Sequence, residues 1–101
     1  MDKDTTWFAL VGLRVLDGNE HITNSNSAYV NIAQVASNLQ DFIAKIQRNL
    51  AHHKFEVFEL EDIVTEEALI KSGVNDEQAN LLAEIKEGYL FAWGTFHTFD
   101  T

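Results

Sequence analysis

Asn38–Lys54, with the sequence NLQDFIAKIQRNLAHHK, is the stretch from which the fold can be worked out. Its large apolar residues recur at steps of three and four, which places them on one face of an α-helix. These residues are Leu39, Phe42, Ile43, Ile46 and Leu50. The opposite face is polar, and Asp41 precedes Lys45 in the favourable i,i+4 order. The stretch therefore predicts an amphipathic helix whose apolar face is covered by a sheet.

Both ends of this helix are marked in the sequence. Ser37 is predicted to be the N-cap, with Gln40 at the reciprocal position of a capping box. At the other end, His52, His53 and Lys54 bring positive charge to the negative end of the helix dipole. Adjacent helical residues point about 100° apart, so His52 and His53 are not expected to chelate one ion together.

Four stretches around the helix have the β-branched and aromatic composition of strands. They are Thr6–Leu16, Ala28–Val35, Phe55–Ile63 and Tyr89–Phe99. The first is largely apolar on both alternating faces, so it is predicted to lie centrally in the sheet. Asp17-Gly18-Asn19 supplies a turn after it, and the polar residues Glu20 to Asn26 that follow favour a loop.

Two more helices follow the third strand. A short one, from about Glu66 to Ser72, is expected to end at Gly73. The next is capped by Asn75 with Gln78 at the reciprocal position, and it stops at Gly88. The order of elements is therefore ββαβααβ. This order predicts an α+β fold in which a four-stranded, mainly antiparallel sheet carries its helices on one face.

Length and composition limit the function classes. A chain of 101 residues fits one domain, here residues 1–101, and residues 1–5 are expected to form a flexible N-terminal tail. The absence of cysteine excludes disulfides, thiolate metal sites and a cysteine nucleophile. The N-terminus lacks the basic start and apolar middle of a secretory signal, and no apolar run is long enough to span a bilayer. We expect a cytoplasmic protein that does not bind membranes.

The charge balance indicates what kind of partner the chain can take. Sixteen acidic and seven basic residues give a net charge of −9. Direct binding to phosphate backbones needs clustered lysine and arginine, so direct contact with nucleic acid is not expected. The charge points either to a basic partner or to solubility alone. Monomer is the favoured oligomeric state.

The segment from Glu56 to Glu67 is the most unusual local feature, because half of its residues are acidic. The predicted partner-binding residues are these six: Glu56, Glu59, Glu61, Asp62, Glu66 and Glu67. Alternation along a strand sends Glu59 and Glu61 to one face and Asp62 to the other. Glu66 and Glu67 fall in the first turn of the next helix, where the dipole favours acids. Such a patch can dock on a basic surface and steer a fast encounter, although a solvated strand end would have the same composition.

Aromatic residues near the two ends of the chain form a second group of interest. They are Trp7, Tyr89, Phe91, Trp93 and Phe99, and most are expected in the core. Any of them that is exposed beside the carboxylates would be the aromatic anchor of a binding site. Gly12 and Gly94 lie inside predicted strands, which indicates bulges or places where a helix side chain needs room.

No pattern of catalytic or metal-ligating residues occurs in the chain. His97 in a strand and His21 in a loop are isolated, and no nucleophile, oxyanion donor or calcium loop accompanies them. We therefore predict neither catalytic residues nor a metal site nor a cofactor, and we expect that the protein is not an enzyme.

In size, acidity, lack of cysteine and α+β layout, the chain resembles the small acidic immunity proteins of bacteria. These neutralise contact-dependent or secreted nuclease toxins. The resemblance covers most of the chain and includes the segment FEVFELEDIVTEE, residues 55–67, after an amphipathic helix. It implies a cytoplasmic inhibitor that covers the active site of a basic toxin domain, with carboxylates in place of the phosphates that the toxin would hold.

Two other function classes are compatible with the sequence. A non-enzymatic regulatory or interaction domain would present the same acidic surface to a host protein. A small ferredoxin-like enzyme would need a pocket in which His97 or His52 faces a carboxylate. The identity of a toxin, the face that forms the interface and the oligomeric state cannot be read from the sequence.

Overall fold

A computed structural model describes residues 4–101 and confirms the predicted α+β class. The order of elements is ββαβααβ, with the last strand in two parts. The strands are β1 (Thr5–Val15), β2 (Ser27–Ala36), β3 (Phe55–Thr65), β4 (Phe91–Trp93) and β5 (His97–Phe99). The helices are α1 (Leu39–His52), α2 (Glu66–Ser72) and α3 (Asp76–Lys86). Of the predicted tail at residues 1–5, the first three lie outside the described residues, and Thr5 already begins β1.

The sheet is antiparallel, with β1 between β3 and β2, and both β4 and β5 paired with β2. The central position of β1 was predicted from its two apolar faces, and Val11 and Leu13 are fully buried there. The predicted strand Tyr89–Phe99 is interrupted, because β4 and β5 pair with separate parts of β2 and residues 94–96 between them do not belong to a strand. This edge of the sheet is therefore built from two short strands.

Helix α1 covers one face of the sheet. Phe42, Ile46 and Leu50 are fully buried and pack in one cluster with inward residues of β1, β2 and β3. The helix begins one residue later than expected, because its N-cap is Asn38 rather than Ser37. The Asn38 side chain accepts a hydrogen bond from the backbone N–H of Asp41. Leu39, which the sequence placed in the buried stripe, is 43% exposed.

The prediction that the helices share one face is wrong. Alternate residues on β1 point to opposite sides, and the second apolar cluster is formed by the other set of side chains. This cluster contains Phe8, Ala33, Leu69, Leu81 and Ala92, so α2 and α3 pack on the face opposite α1. They cover the end of that face around Phe8, and α3 begins beside Leu10 and Asn31, where Asn75 and Gln78 line a cleft with them and Glu77 accepts a hydrogen bond from Asn31 Nδ2. The capping box that joins Asn75 and Gln78 at the start of α3 is confirmed.

Two register shifts interrupt the pairing of β3 with β1. At the first shift, Glu59 pairs with Gly12 and Val57 pairs with Leu13, so Phe58 between them has no partner on β1. The other lies near Asp62, which has a positive φ of 53°. Each shift inserts an extra residue on β3, so each reverses which face the following side chains point to. These bulges decide where the acidic residues of β3 lie.

Candidate functional site

The first bulge brings three carboxylates to the same face of the sheet. In a regular strand Glu56 and Glu59 would point to opposite faces, because they are an odd number of residues apart. In the structure they pair with Arg14 and Gly12, which are two residues apart on β1 and share a face. Glu61 pairs with Leu10 and continues the same row. All three carboxylates thus lie on the face of α2 and α3, with Glu61 next to the start of α3 and Glu59 and Glu56 progressively farther from it.

Aromatic side chains lie beside these carboxylates. The Tyr29 ring stacks on Phe99 at 5.4 Å between centroids and meets the edge of Phe58 at 5.9 Å. Phe58 in turn lies over Gly12, where an added Cβ atom would come within 2.8 Å of its ring. We call this region the acidic sheet surface. It comprises Arg14, Tyr29, Glu56, Phe58, Glu59, Glu61 and Phe99.

Tyr29 is tied directly to the carboxylates. Its hydroxyl donates a hydrogen bond of 2.5 Å to Oε1 of Glu59. This bond raises the pKa of Tyr29 above its usual range, with smaller contributions from desolvation and from the charges of Glu59 and Glu61. The phenol therefore stays protonated and orients one carboxylate of the surface.

Glu59 and Glu61 are close enough to interact. A hydrogen bond from Glu61 to Glu59, together with the repulsion between the two charges, raises the pKa of Glu61 above its usual range. Asp62 adds a smaller repulsive contribution. A cationic group placed beside Glu59 and Glu61 would relieve the repulsion between their carboxylates.

One basic residue already lies on the surface. The Arg14 guanidinium is 3.3 Å from the Glu56 carboxylate and 5.5 Å above the Phe58 ring. Both partners of the ion pair are more than half exposed, so the pair contributes little to stability. It shows that this surface accommodates a guanidinium between a carboxylate and an aromatic face.

The other three predicted partner-binding residues lie elsewhere. Asp62 sits at the second bulge and lines a small cleft with Asn75 and Gln78 at the start of α3. Glu66 and Glu67 occupy the first turn of α2, and Glu67 pairs with Lys71 at 3.3 Å. At about 3.3 Å of rise per strand residue, Glu66 lies on the order of 15 Å along the chain from Glu61. The structure thus divides the six residues into three on the acidic sheet surface and three beyond it.

Of the five aromatic residues singled out from the sequence, Phe99 alone belongs to the acidic sheet surface. Trp7, Phe91 and Trp93 pack against the core on the side of α1. Tyr89 is exposed but lies beside Arg48, away from these carboxylates. Sequence reasoning missed Tyr29 and Phe58, because the bulge that brings them together leaves no trace in the period-2 pattern.

The two strand glycines did carry a signal. The expected close approach is present at both positions, since a Cβ atom on Gly12 would meet Phe58 and one on Gly94 would meet the side chain of Glu77 from α3. Glu77 also accepts a hydrogen bond of 2.6 Å from Asn31 Nδ2. A search for the bulky neighbour of Gly12 would have identified the aromatic centre of the surface.

Three histidines form a separate cluster at the end of α1. His21 Nε2 and His53 Nδ1 are 3.2 Å apart, and the His52 ring lies 5.3 Å from that of His53. Burial against neighbours such as Trp93 lowers the pKa of His53, and charge repulsion from His21 and His52 lowers it further. Within residues 4–101, no group of three or more His, Asp or Glu side chains is arranged to hold a metal ion.

The remaining histidine, His97, lies in β5 opposite Tyr29 and is exposed. None of the described helices is both long and apolar enough to cross a membrane. Comparison with models of known protein families gave no match, and neither the curated proteins nor the solved structures contained a significant match to the chain.

Proposed function

We propose that the protein is a cytoplasmic immunity protein that binds a basic toxin domain, a nuclease, and inhibits it by covering its active site. The observation that carries the proposal is the acidic sheet surface, where Glu56, Glu59 and Glu61 share the face of the sheet that α2 and α3 cover only in part. A nuclease binds phosphate groups through lysine and arginine side chains. Carboxylates held at a similar spacing can take the place of these phosphates.

The aromatic residues of this surface favour a protein partner over simple solubility. A solvated acidic patch needs no aromatic neighbours, whereas interface anchors are enriched in tyrosine and other aromatic residues. Tyr29 and Phe99 are partly buried, and Phe58 is 38% exposed, so a partner can contact the rings as well as the charges. The position of Arg14 between Glu56 and Phe58 is a model of how an arginine of the partner would be held.

The net charge adds to the encounter rate rather than to the contact itself. A charge of −9 attracts a basic partner over distances up to about the Debye length, near 8 Å at physiological salt. Complementary charge can raise association rates from about 10⁵–10⁶ to 10⁸ M⁻¹s⁻¹ or more at low salt. A toxin must be neutralised before it damages the cell, and fast association serves that purpose.

Affinity capture from a lysate of the native organism, with elution by raised salt, tests the proposal. We expect a basic nuclease domain, whose activity the purified protein then inhibits. Recovery of a basic host protein without nuclease activity would support the regulatory or interaction domain instead. Recovery of no salt-sensitive partner would contradict both and would leave the carboxylates as a solubility device.

A matched pair of variants tests the surface itself. Changing Glu59 and Glu61 to glutamine removes two charges from the surface and is expected to lower the association rate on the order of tenfold at low salt. The control variant changes Glu84 in α3 and Glu87 at its C-cap to glutamine. Both residues are exposed, so this variant removes the same net charge from another part of the protein. If both variants slow association equally, only net charge matters and the proposed interface is wrong.

A further inference from the structure

A cleft with the opposite charge lies on the other face of the sheet. It has a volume of about 590 Å³ and opens between α1 and the segment that enters β4. This volume falls within the range of about 300–1,000 Å³ that is typical of small-molecule sites. Six residues carry the argument below: Gln34, Lys45, Arg48, Asn49, Tyr89 and Leu90.

The lining of this cleft contains two cationic residues and no acidic one. Lys45 is partly neutralised, because its Nζ lies 3.1 Å from the carboxylate of Asp41. Arg48 is exposed, and its guanidinium forms no ion pair or hydrogen bond with residues of the described chain. In a protein with a charge of −9, this leaves a free guanidinium at the mouth of a concave site. A guanidinium binds carboxylate and phosphate groups through two parallel hydrogen bonds.

The wall opposite α1 is held in place by hydrogen bonds. The Leu90 carbonyl accepts two of them, each 2.9 Å long, from the Val35 backbone N–H and from Gln34 Nε2. Gln34 is only 3% exposed, and its Oε1 accepts a bond of 2.8 Å from Asn49 Nδ2 on α1. This chain of bonds joins the segment before β4 to both β2 and α1. The cleft is therefore organised before any ligand binds, which lowers the entropic cost of binding.

Large apolar side chains are exposed on this rigid backbone. Tyr89 is 60% exposed and Leu90 is 66% exposed, which are the two highest values among the exposed large apolar side chains of residues 4–101. Exposed apolar side chains on a segment that hydrogen bonds hold in place, next to the guanidinium of Arg48, are typical of a recognition site rather than of a mobile loop. A tyrosine ring offers a flat face on which another ring can stack.

We propose that this cleft binds a small molecule that carries a phosphate or carboxylate next to a planar ring. Arg48 binds the anionic group, with Lys45 as a second positive charge, and Tyr89 stacks on the ring. The site lies on the face of α1, whereas the acidic sheet surface lies on the face of α2 and α3, so the two proposals do not depend on each other.

Phenyl phosphate is the simplest probe that contains both parts of such a ligand. We expect it to shift the backbone amide resonances of Arg48, Asn49, Tyr89 and Leu90 in a ¹H–¹⁵N NMR titration, with saturation at about 10 mM or below. Inorganic phosphate should bind at least about fivefold more weakly, because it makes no stacking contact. Arg48→Gln should weaken binding of phenyl phosphate about tenfold or more.

Two variants serve as controls for these measurements. Tyr89→Ala should reduce the affinity for phenyl phosphate to that for inorganic phosphate, and the variant should keep the fold because Tyr89 is exposed. Lys71→Gln removes a cation from α2 on the other face and should leave binding unchanged. The proposal is refuted if phenyl phosphate shifts none of the four amides, if Arg48→Gln binds as tightly as the wild type, or if Lys71→Gln weakens binding as much as Arg48→Gln does.

Discussion

Replacing Gly12 by alanine tests the packing at the centre of the acidic sheet surface. The new Cβ atom would lie 2.8 Å from Cζ of Phe58 and 3.1 Å from Cβ of Glu59. Overpacking of this kind costs about 1–3 kcal/mol of stability. Because Phe58 is 38% exposed, its ring can swing toward solvent, so we expect a loss near the lower limit, about 1 kcal/mol.

The same substitution should behave differently once the ring is removed. In a Phe58→Ala background the contact at 2.8 Å no longer exists, and the contact with Glu59 at 3.1 Å needs only a small adjustment. Glycine inside a strand is about 0.5–1 kcal/mol less favourable than alanine, so Gly12→Ala should then be neutral or slightly stabilising. The double-mutant cycle should therefore give a coupling energy of about 1–2 kcal/mol between the two positions.

Urea unfolding followed by tryptophan fluorescence measures all four proteins of the cycle. Trp7 and Trp93 pack on the side of α1, so neither substitution alters their immediate surroundings in the folded protein. Equal costs of Gly12→Ala in both backgrounds would mean that Phe58 does not lie over Gly12, and the account of the aromatic centre would be wrong. A positive coupling energy accompanied by slower association with a basic partner would link this packing to binding.

Three further measurements test other parts of the structure. Leu50→Ala should lower the free energy of unfolding by about 2–5 kcal/mol because Leu50 is fully buried. Leu39→Ala should lower it by less than about 1 kcal/mol because that side chain is largely exposed. The urea midpoints of the two variants test this difference. Asn38→Ala should cost about 1 kcal/mol through loss of the N-cap, and the fall in melting temperature checks this value. The lowered pKa of His53 predicts stability that is fully present above the unfolded-state pKa near 6.5 and is lost as the pH falls through the folded-state value. His53→Asn should therefore flatten the dependence of the urea midpoint on pH between about 7 and 5, and an unchanged slope would contradict this assignment.

Helices and strand order could be predicted from the sequence because they depend on local patterns. The period of three and four in α1 and the capping box at Asn75 are local signals, and both elements lie where they were expected. The apolar character of β1 on both faces indicated its central place in the sheet. The N-cap was misplaced by one residue because Ser37 and Asn38 are both good capping residues, and the choice between them depends on the backbone.

The faces of the sheet could not be predicted with the same success. Deciding which helix covers which face requires the register of distant strands, and the sequence carries no local record of it. The bulge at Phe58 also depends on the pairing between distant strands, and it reverses the side-chain alternation of β3 relative to a regular strand. As a result the sequence did not show that Glu56 shares a face with Glu59, and Tyr29 from β2 was not recognised as a neighbour of Glu59.

The bulges in β3 also bear on how the protein avoids aggregation. Within residues 4–101, β3 pairs with β1 alone, so its outer edge could in principle template the addition of another chain. The positive φ at Asp62 bends this edge, and the carboxylates of Glu56, Glu59 and Glu61 would repel a second copy aligned beside it. Variants that neutralise these acids to weaken partner binding therefore also remove the repulsion that keeps a second copy from pairing with the edge of β3. Such variants are expected to form intermolecular β-structure at concentrations where the native protein stays in solution.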